Sequence, residues 1–161
     1  MLFNKKVVMA VTAVLGFVSS NTFALGNGVA TTDIALSTVV DSECTIETST
    51  SSFSPNLSTG ESSTLIASIT EICNDSNGYT VTFSSANNGE LQHAGTSAKQ
   101  DYKISYGSIN NKQLNNSKSS SYSGGTLLNA VALTMNLDAI SGVIAAGTWS
   151  DTITVTVAVN D

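Results

Sequence analysis

Few side chains in this sequence are suited to catalysis or to metal binding. His93 is the only histidine, and Cys44 and Cys73 are the only cysteines. No histidine lies near either cysteine in the sequence, whereas a zinc site usually needs four nitrogen or sulfur ligands. The spacing around His93, within the polar stretch 89–98, indicates no serine or aspartate partner. We therefore expect a solvated loop histidine, no metal site and no cofactor.

A pair of carboxylate side chains could also act as catalytic groups. Glycoside hydrolysis needs two carboxylates that meet in space, and sequence spacing alone does not identify such a pair. Asp75 and Asp151 stand where a turn or the start of a strand is expected. The sequence also has no glycine-rich phosphate-binding loop and no HExxH motif. We therefore predict that the protein is not an enzyme, and an exported hydrolase is the weakest alternative.

Aromatic residues at alternate positions suggest a binding module as the second alternative. The runs 79–83 and 102–106 each place aromatic rings on one face of a strand. Such faces can stack on sugars, although aromatics with a period of two usually belong to a core. A monomeric, exported carbohydrate-binding β-sandwich is therefore the alternative to the function proposed below.

The first residues predict export. Lys5 and Lys6 precede an uncharged apolar run at 7–18, and Thr22 and Ala24 form a small-residue cleavage site. The apolar run is shorter than the ~20 residues that span a bilayer. We therefore expect a signal peptide over residues 1–24 and passage through the periplasm. In that oxidising compartment Cys44 and Cys73 are expected to form a disulfide, which would stabilise the fold by about 3.5 kcal/mol.

The charge balance excludes several classes of partner. All six basic residues are lysines, and two of them lie in the expected signal peptide. Four lysines then remain against 12 acidic residues, which gives a formal net charge of −8. Nucleic-acid binding depends on lysine and arginine contacts to phosphates, so no nucleic-acid partner is expected. An anionic membrane surface is excluded for the same reason.

The hydrophobic pattern has a period of two and predicts strands. Strands are expected at 65–72, 79–84, 102–106, 127–137 and 149–159, with another at 34–46 bent near Cys44. Asn87-Asn88-Gly89 suggests a hairpin turn. The polar stretch 107–125 is expected to be a long loop or to contain a short edge strand at 112–114. Six or seven short strands at this spacing predict an antiparallel sandwich.

The end of the sequence resembles a known family. Residues 146–157 read Ala-Gly-Thr-Trp-Ser-Asp-Thr-Ile-Thr-Val-Thr-Val. They resemble the C-terminal signature A-G-x-[YW]-x-D-T-[hydrophobic]-T-V-T-V of chaperone–usher pilins, especially the spore-coat-protein-U-like subunits of archaic pili. The positions of Cys44, Cys73 and the Gly78–Phe83 strand are also similar. The resemblance implies an incomplete immunoglobulin-like sandwich of six to seven strands, completed by a donor strand from another subunit.

The resemblance also implies partners and site residues. Such subunits are held by a periplasmic chaperone, assembled at an outer-membrane usher and polymerised with neighbouring pilin subunits into a surface fimbrium. That fimbrium attaches to host or abiotic surfaces and supports biofilms. Residues 25–36 would be the donor extension and 37–161 the sandwich domain. The inserting side chains would be Leu25, Val29 and Thr31 on one face, or Ile34 and Leu36 on the other. The groove would be lined by the last strand through Trp149, Ile153, Val155, Val157 and Val159.

Overall fold

Strands account for all regular secondary structure in the residues that the computed structural model describes, which are 31–124 and 127–160. Ten strands form two sheets, and neighbouring strands run antiparallel throughout. The expected all-β, sandwich-like fold class is therefore confirmed. The number of strands exceeds the six or seven expected, because short strands form in polar stretches where apolar alternation is weak.

The two sheets differ in size. The larger sheet has the order β1-β2-β8-β5-β4-β9, with β6 paired to β5, and the smaller sheet has the order β10-β3-β7. The strands of the larger sheet are β1 (Cys44–Thr48), β2 (Glu61–Cys73), β4 (Glu90–His93), β5 (Lys99–Tyr106), β6 (Ile109–Lys112), β8 (Leu127–Leu137) and β9 (Trp149–Ser150). Those of the smaller sheet are β3 (Tyr79–Ser85), β7 (Lys118–Tyr122) and β10 (Ile153–Val159).

The apolar positions of the long strands form the core. On β3 the side chains of Tyr79, Val81 and Phe83 are buried, while Thr80 and Thr82 between them are partly exposed. β5 and β8 supply the opposite wall with the same alternation, and β2 does so from Ile69 to Cys73, after a register shift between Leu65 and Ala67. This pattern gives each strand one face in the core and one face exposed to solvent. The aromatic residues at 79–83 and 102–106 are therefore core residues.

The polar stretch 107–125 contains two strands. β6 pairs with β5, and β7 pairs with β3 along its whole length. Neither strand has a continuous apolar face, so backbone pairing and hydroxyl contacts hold them. The hydroxyls of Thr80 and Ser121 are 2.9 Å apart, and those of Thr82 and Ser119 are also 2.9 Å apart. A single edge strand at 112–114 was therefore the wrong expectation, since β6 ends at Lys112.

The Asn87-Asn88-Gly89 turn joins the two sheets and does not form a hairpin. Asn88 and Gly89 both have positive φ, 58° and 76°, and the Glu90 amide donates to the Asn87 carbonyl at 3.2 Å. The turn leads from β3 in the smaller sheet to β4 in the larger one. A side chain at Gly89 would meet the Leu114 backbone at 2.7 Å. The expected turn is present, but the strands that it joins do not pair with each other.

The expected strand over 34–46 is wrong for most of its length. Only Cys44–Thr48 pairs, as β1, and residues 31–43 have no regular secondary structure. The chain divides into a unit that ends at Asp41 and a compact unit that starts at Ser42. Pairing begins at Cys44 because this residue stands opposite Cys73, to which it is covalently joined.

The Cys44–Cys73 disulfide is confirmed and ties β1 to the end of β2. Cys73 is fully buried in the core, and Cys44 packs against it. β1 has only five residues and pairs with one strand, so its own pairing supplies little free energy. The disulfide therefore fixes β1 in place.

We predict that Cys44→Ser lowers the free energy of unfolding by about 3.5 kcal/mol, because the unfolded chain regains the entropy of the open loop. Urea unfolding of wild type and variant measures the difference. Ser42→Ala, two residues away, is the control and should cost far less. Equal midpoints for wild type and Cys44→Ser would contradict the prediction.

An acidic side chain lies in the core between Ile69 and Cys73. Glu71 is fully buried, and the Tyr79 hydroxyl donates a hydrogen bond to its Oε2 at 2.5 Å. Its Oε1 has no hydrogen-bond partner among the described residues. Burial raises the pKa of the Glu71 carboxyl, because desolvation disfavours the charged form more than the Tyr79 hydrogen bond favours it.

This raised pKa predicts a pH-dependent stability. Because the folded state binds the Glu71 proton more tightly than the unfolded state does, its contribution is full below the unfolded-state pKa. That contribution is lost as the pH rises through the folded-state pKa. Glu71→Gln should remove this loss and flatten the dependence above the unfolded-state pKa of about 4, measured by urea unfolding. Glu47→Gln, on the exposed face of β1, is the control. Identical pH profiles for wild type and Glu71→Gln would refute the assignment.

Candidate functional site

Two strand edges on one side of the sandwich lack a pairing partner in the described part of the chain. β10 pairs with β3 alone, and β1 pairs with β2 alone. The two strands belong to opposite sheets and contact each other. An unpaired edge presents a row of free backbone donors and acceptors, which is a template for another strand. This side of the sandwich is therefore the candidate site.

The inward row of β10 is less buried than the rest of the core. Ile153, Val155, Val157 and Val159 pack against the core cluster but are only partly buried. On the neighbouring β3, Val81 and Phe83 are completely buried. The residues between them on β10, Thr154, Thr156 and Ala158, are exposed. The inward side chains of β10 therefore point towards the core, but the surrounding residues cover them only in part.

A groove of about 390 Å³ opens beside the first half of β10. Ile153 and Val155 form one wall, and apolar residues of β2 and β8 form the floor. The segment from Thr48 to Pro55, which leaves β1, forms the rim. The floor residues are Ile66, Ala67, Ile69, Leu133 and Met135. The groove thus gives direct access from the surface to the core.

A second depression, of about 240 Å³, continues the groove beyond Asp151. It shares Phe53, Pro55 and Leu91 with the first and is otherwise lined by Ser54, Leu57, Gly147 and Trp149. The sequence did not identify Phe53, Pro55, Leu57 or Leu91 as site residues. One available signal was Pro55, the only proline of the chain, two residues after an aromatic in a serine-rich stretch.

Asp151 joins the two sheets at the head of β10. Its Oδ2 accepts hydrogen bonds from the hydroxyls of Ser85 and Tyr102, each at 2.6 Å. Its Oδ1 accepts from the backbone amides of Asn87 at 3.0 Å and Thr152 at 2.7 Å. Three of these partners come from β3, β5 and the 87–89 turn, and the fourth is the next residue of the chain. Asp151 therefore sets the point at which the chain leaves one sheet and starts β10 in the other.

The expected single strand 149–159 is two strands. Trp149 and Ser150 form β9, which pairs with β4 in the larger sheet, whereas β10 pairs with β3. The break falls at Asp151 and Thr152, because the Asp151 carboxylate bonds across the crossover. Trp149 is therefore not part of the β10 row. Its indole donates to the Ala145 carbonyl at 3.0 Å, and its ring lines the second depression.

His93 is a structural residue of β4, and the expectation of a solvated loop histidine was wrong. Its side chain is buried, its Nδ1 accepts from the Gly95 amide at 3.0 Å, and its Nε2 lies 3.1 Å from the Ala146 carbonyl. Nδ1 is thus the unprotonated nitrogen, and Nε2 donates. A side chain at Gly147 would come within 2.5 Å of Nε2. The ring therefore holds the 145–148 loop beside the groove.

The residues expected to insert as a donor strand lie in the first unit. Leu25 and Val29 fall outside the described residues. Thr31, Ile34 and Leu36 are exposed and belong to no strand. Ile34 retains 82% and Leu36 retains 88% of its accessible surface. Large aliphatic side chains are thus left uncovered before the compact unit begins.

Comparisons with known proteins and searches for other site types give no assignment. No family model matches the sequence, and no curated protein matches it either. Across residues 31–124 and 127–160, no group of three or more His, Cys, Asp or Glu side chains is arranged to hold a metal ion. Within the same residues, no helix is long and apolar enough to cross a membrane.

We predict that Asp151→Ala lowers the free energy of unfolding by more than about 2 kcal/mol, because it leaves the Tyr102 and Ser85 hydroxyls without their charged acceptor. Urea unfolding measures the loss. Asp101→Ala, at an exposed position of β5, removes the same charge and is expected to change stability by less than about 0.5 kcal/mol. Equal effects of the two substitutions would contradict the role given to Asp151.

Proposed function

We propose that this protein is a structural subunit of a bacterial surface fibre, assembled by insertion of a strand from a neighbouring subunit. The observation that supports this proposal most directly is the half-buried row on β10 beside an open groove. A strand added to the free edge of β10 would satisfy its backbone groups and cover that row in one step.

The chemistry of the groove favours a peptide strand over a small polar ligand. Its floor and one wall consist of aliphatic side chains, with Thr152 and Asp151 at the end. Each large aliphatic side chain that becomes fully buried there contributes roughly 1.5–3 kcal/mol. The free edge of β10 would add main-chain hydrogen bonds along seven residues. Alternate apolar residues on an extended segment match both features.

The same edge would be used twice during assembly. A periplasmic chaperone would first cover the groove of the newly exported chain, and an outer-membrane usher would then exchange it for the neighbouring subunit. The disulfide is consistent with an exported protein. The proposed destination is an extracellular fimbrium that supports adhesion and biofilm formation.

The carbohydrate-binding alternative has less support. Tyr79, Tyr102 and Tyr106, which supplied its expected stacking faces, are at most 1% exposed. Trp149 is partly exposed, but its indole NH already bonds to Ala145. The rings on which the alternative was based are therefore core residues.

We predict that Val155→Asp prevents multimer formation by the mature chain, whereas Thr156→Asp leaves it nearly unchanged. Val155 faces the groove and Thr156 faces solvent on the same strand, so only the first would place a charge beneath an inserted strand. Light scattering and unheated gel electrophoresis of each purified protein count the multimers. Circular dichroism and an intact disulfide show that each variant is folded. Equal multimer formation by the two folded variants would contradict the proposal.

A further inference from the structure

We propose that the outer face of the larger sheet binds the same face of a second copy of this chain, with Glu47 of each copy opposite Lys103 of the other. The outer face is formed by the side chains of β1, β2, β8 and β5 that point away from the core. The groove is lined by side chains on the opposite side of β2 and β8. This contact therefore goes beyond the proposed function, because it uses neither the groove nor the free edge of β10.

The centre of the outer face is uncharged and partly apolar. On β2, Leu65 is 55% and Ile72 is 42% exposed. On the neighbouring β8, Ala130 and Ala132 are exposed. The outward residues of these two strands carry no charge over 65–72 and 130–136. Depletion of charge around exposed apolar side chains is typical of the centre of a protein–protein interface.

Opposite charges lie at two opposite corners of this face. Glu47 on β1 is in register with Thr70 of β2, which is in register with Ala130 of β8. Lys103 on β5 is in register with Asn136, near the other end of β8. Both charged side chains are exposed, and neither has an ion-pair partner among the described residues. One acid and one base therefore lie diagonally across four strands, with the neutral centre between them.

The remaining outward charges of β5 lie outside this arrangement. Lys99 is already paired, because its Nζ lies 2.7 Å from a carboxylate oxygen of Glu90. β5 pairs with β8 only from Tyr102 onward, so Asp101 lies beyond the end of β8. Lys103 is therefore the charge of β5 that borders the neutral centre.

A two-fold axis brings each acid to a base. We place the second copy face to face with the first, turned by 180° about an axis between the two faces. When that axis crosses the diagonal from Glu47 to Lys103 at its midpoint and at a right angle, each Glu47 lies opposite a Lys103 and the neutral centres meet. Such an isologous contact closes as a dimer. A partner of uniform charge would be repelled at one corner, whereas a second copy is attracted at both.

The size of the outer face limits the strength of this contact. The face is four strands wide, with about 4.8 Å between neighbouring strands, which is small for a protein–protein interface. We therefore expect a weak, reversible dimer. The two ion pairs at its rim select the orientation of the copies.

The first test reverses each charge separately. Sedimentation equilibrium measures the dimer Kd of the mature chain with Val155→Asp, which is expected to prevent strand insertion. Glu47→Lys and Lys103→Glu should each raise that Kd by roughly tenfold or more, because each places like charges opposite each other at both corners. Lys118→Glu, on the smaller sheet, changes the net charge as Lys103→Glu does and should leave the Kd within about twofold.

Glu47→Lys distinguishes a specific contact from a general charge effect. This substitution makes the acidic chain less negative, so weaker overall repulsion would lower the dimer Kd. The two-fold contact requires the opposite change. A lower Kd for Glu47→Lys, or an equal rise for Lys118→Glu and Lys103→Glu, would overturn the proposal.

The second test mixes the two single variants, each with its own affinity tag. A chain with Glu47→Lys has bases at both corners, and a chain with Lys103→Glu has acids at both corners. Their mixture should form heterodimers roughly tenfold more tightly than either variant binds itself, measured by capture through one tag and detection of the other. The double variant Glu47→Lys/Lys103→Glu should dimerise as the parent chain does. No heterodimer, or a double variant as weak as the single ones, would overturn the pairing of these corners.

The two tests separate this interface from the proposed function. If the tagged mixture behaves as expected while Val155→Asp leaves the large multimers unchanged, the two-fold contact stands and strand insertion is wrong. If Val155→Asp removes the multimers and neither charge reversal changes the remaining association, strand insertion stands and the outer face is not an interface. A chain with Val155→Asp that stays monomeric at every concentration would also overturn the two-fold contact.

Discussion

The unusual features of this fold follow from one missing strand contact, at the edge of β10 that faces away from β3. The inward row of β10 packs on the core from one side and pairs through the backbone with β3, but its other edge has no partner among the described residues. Burial of aliphatic surface is the main favourable term in folding. Complete burial of the half-covered β10 side chains would therefore release further free energy. The opening of the groove and the partial exposure of the β10 row both follow from that one absent neighbour.

The position of β10 depends on a polar interaction rather than on packing. The Asp151 carboxylate accepts four hydrogen bonds, three of them from β3, β5 and the 87–89 turn, and the chain changes sheet at this residue. The His93 ring and the Trp149 indole fix the preceding loop through the carbonyls of Ala146 and Ala145. These hydrogen bonds position the edge of the groove within the single chain. A preorganised edge lowers the entropic cost of adding a strand.

The sequence predicted the strands whose alternation is imposed by the core. β3, β5 and β8 were recognisable because one face of each must be apolar. β6 and β7 were not, since backbone pairing and Ser/Thr contacts hold them without an apolar face. The division between β9 and β10 was also missed, because apolar residues keep the same parity through Asp151 while the hydrogen-bonding partner changes. Hydrophobic periodicity records which face is buried, but it does not record which sheet a strand joins.

The sequence predicted part of the candidate site, as it predicted part of the fold. The parity of the β10 row and the disulfide both follow from residue types and spacing. The rim formed by Phe53 and Pro55 depends on how a polar connection folds over the core, and the buried Glu71 depends on its contact with Tyr79. Such features require long-range contacts that a local pattern does not contain.

Hydrogen exchange along β10 tests the central claim most directly, because it reports on each edge of the strand separately. In the monomeric chain, the β10 amides that point towards β3 should be protected, while those that point to the free edge should exchange rapidly. In assembled multimers both sets should be protected. Full protection of every β10 amide in the monomer would show that the edge is already paired, and would contradict the account.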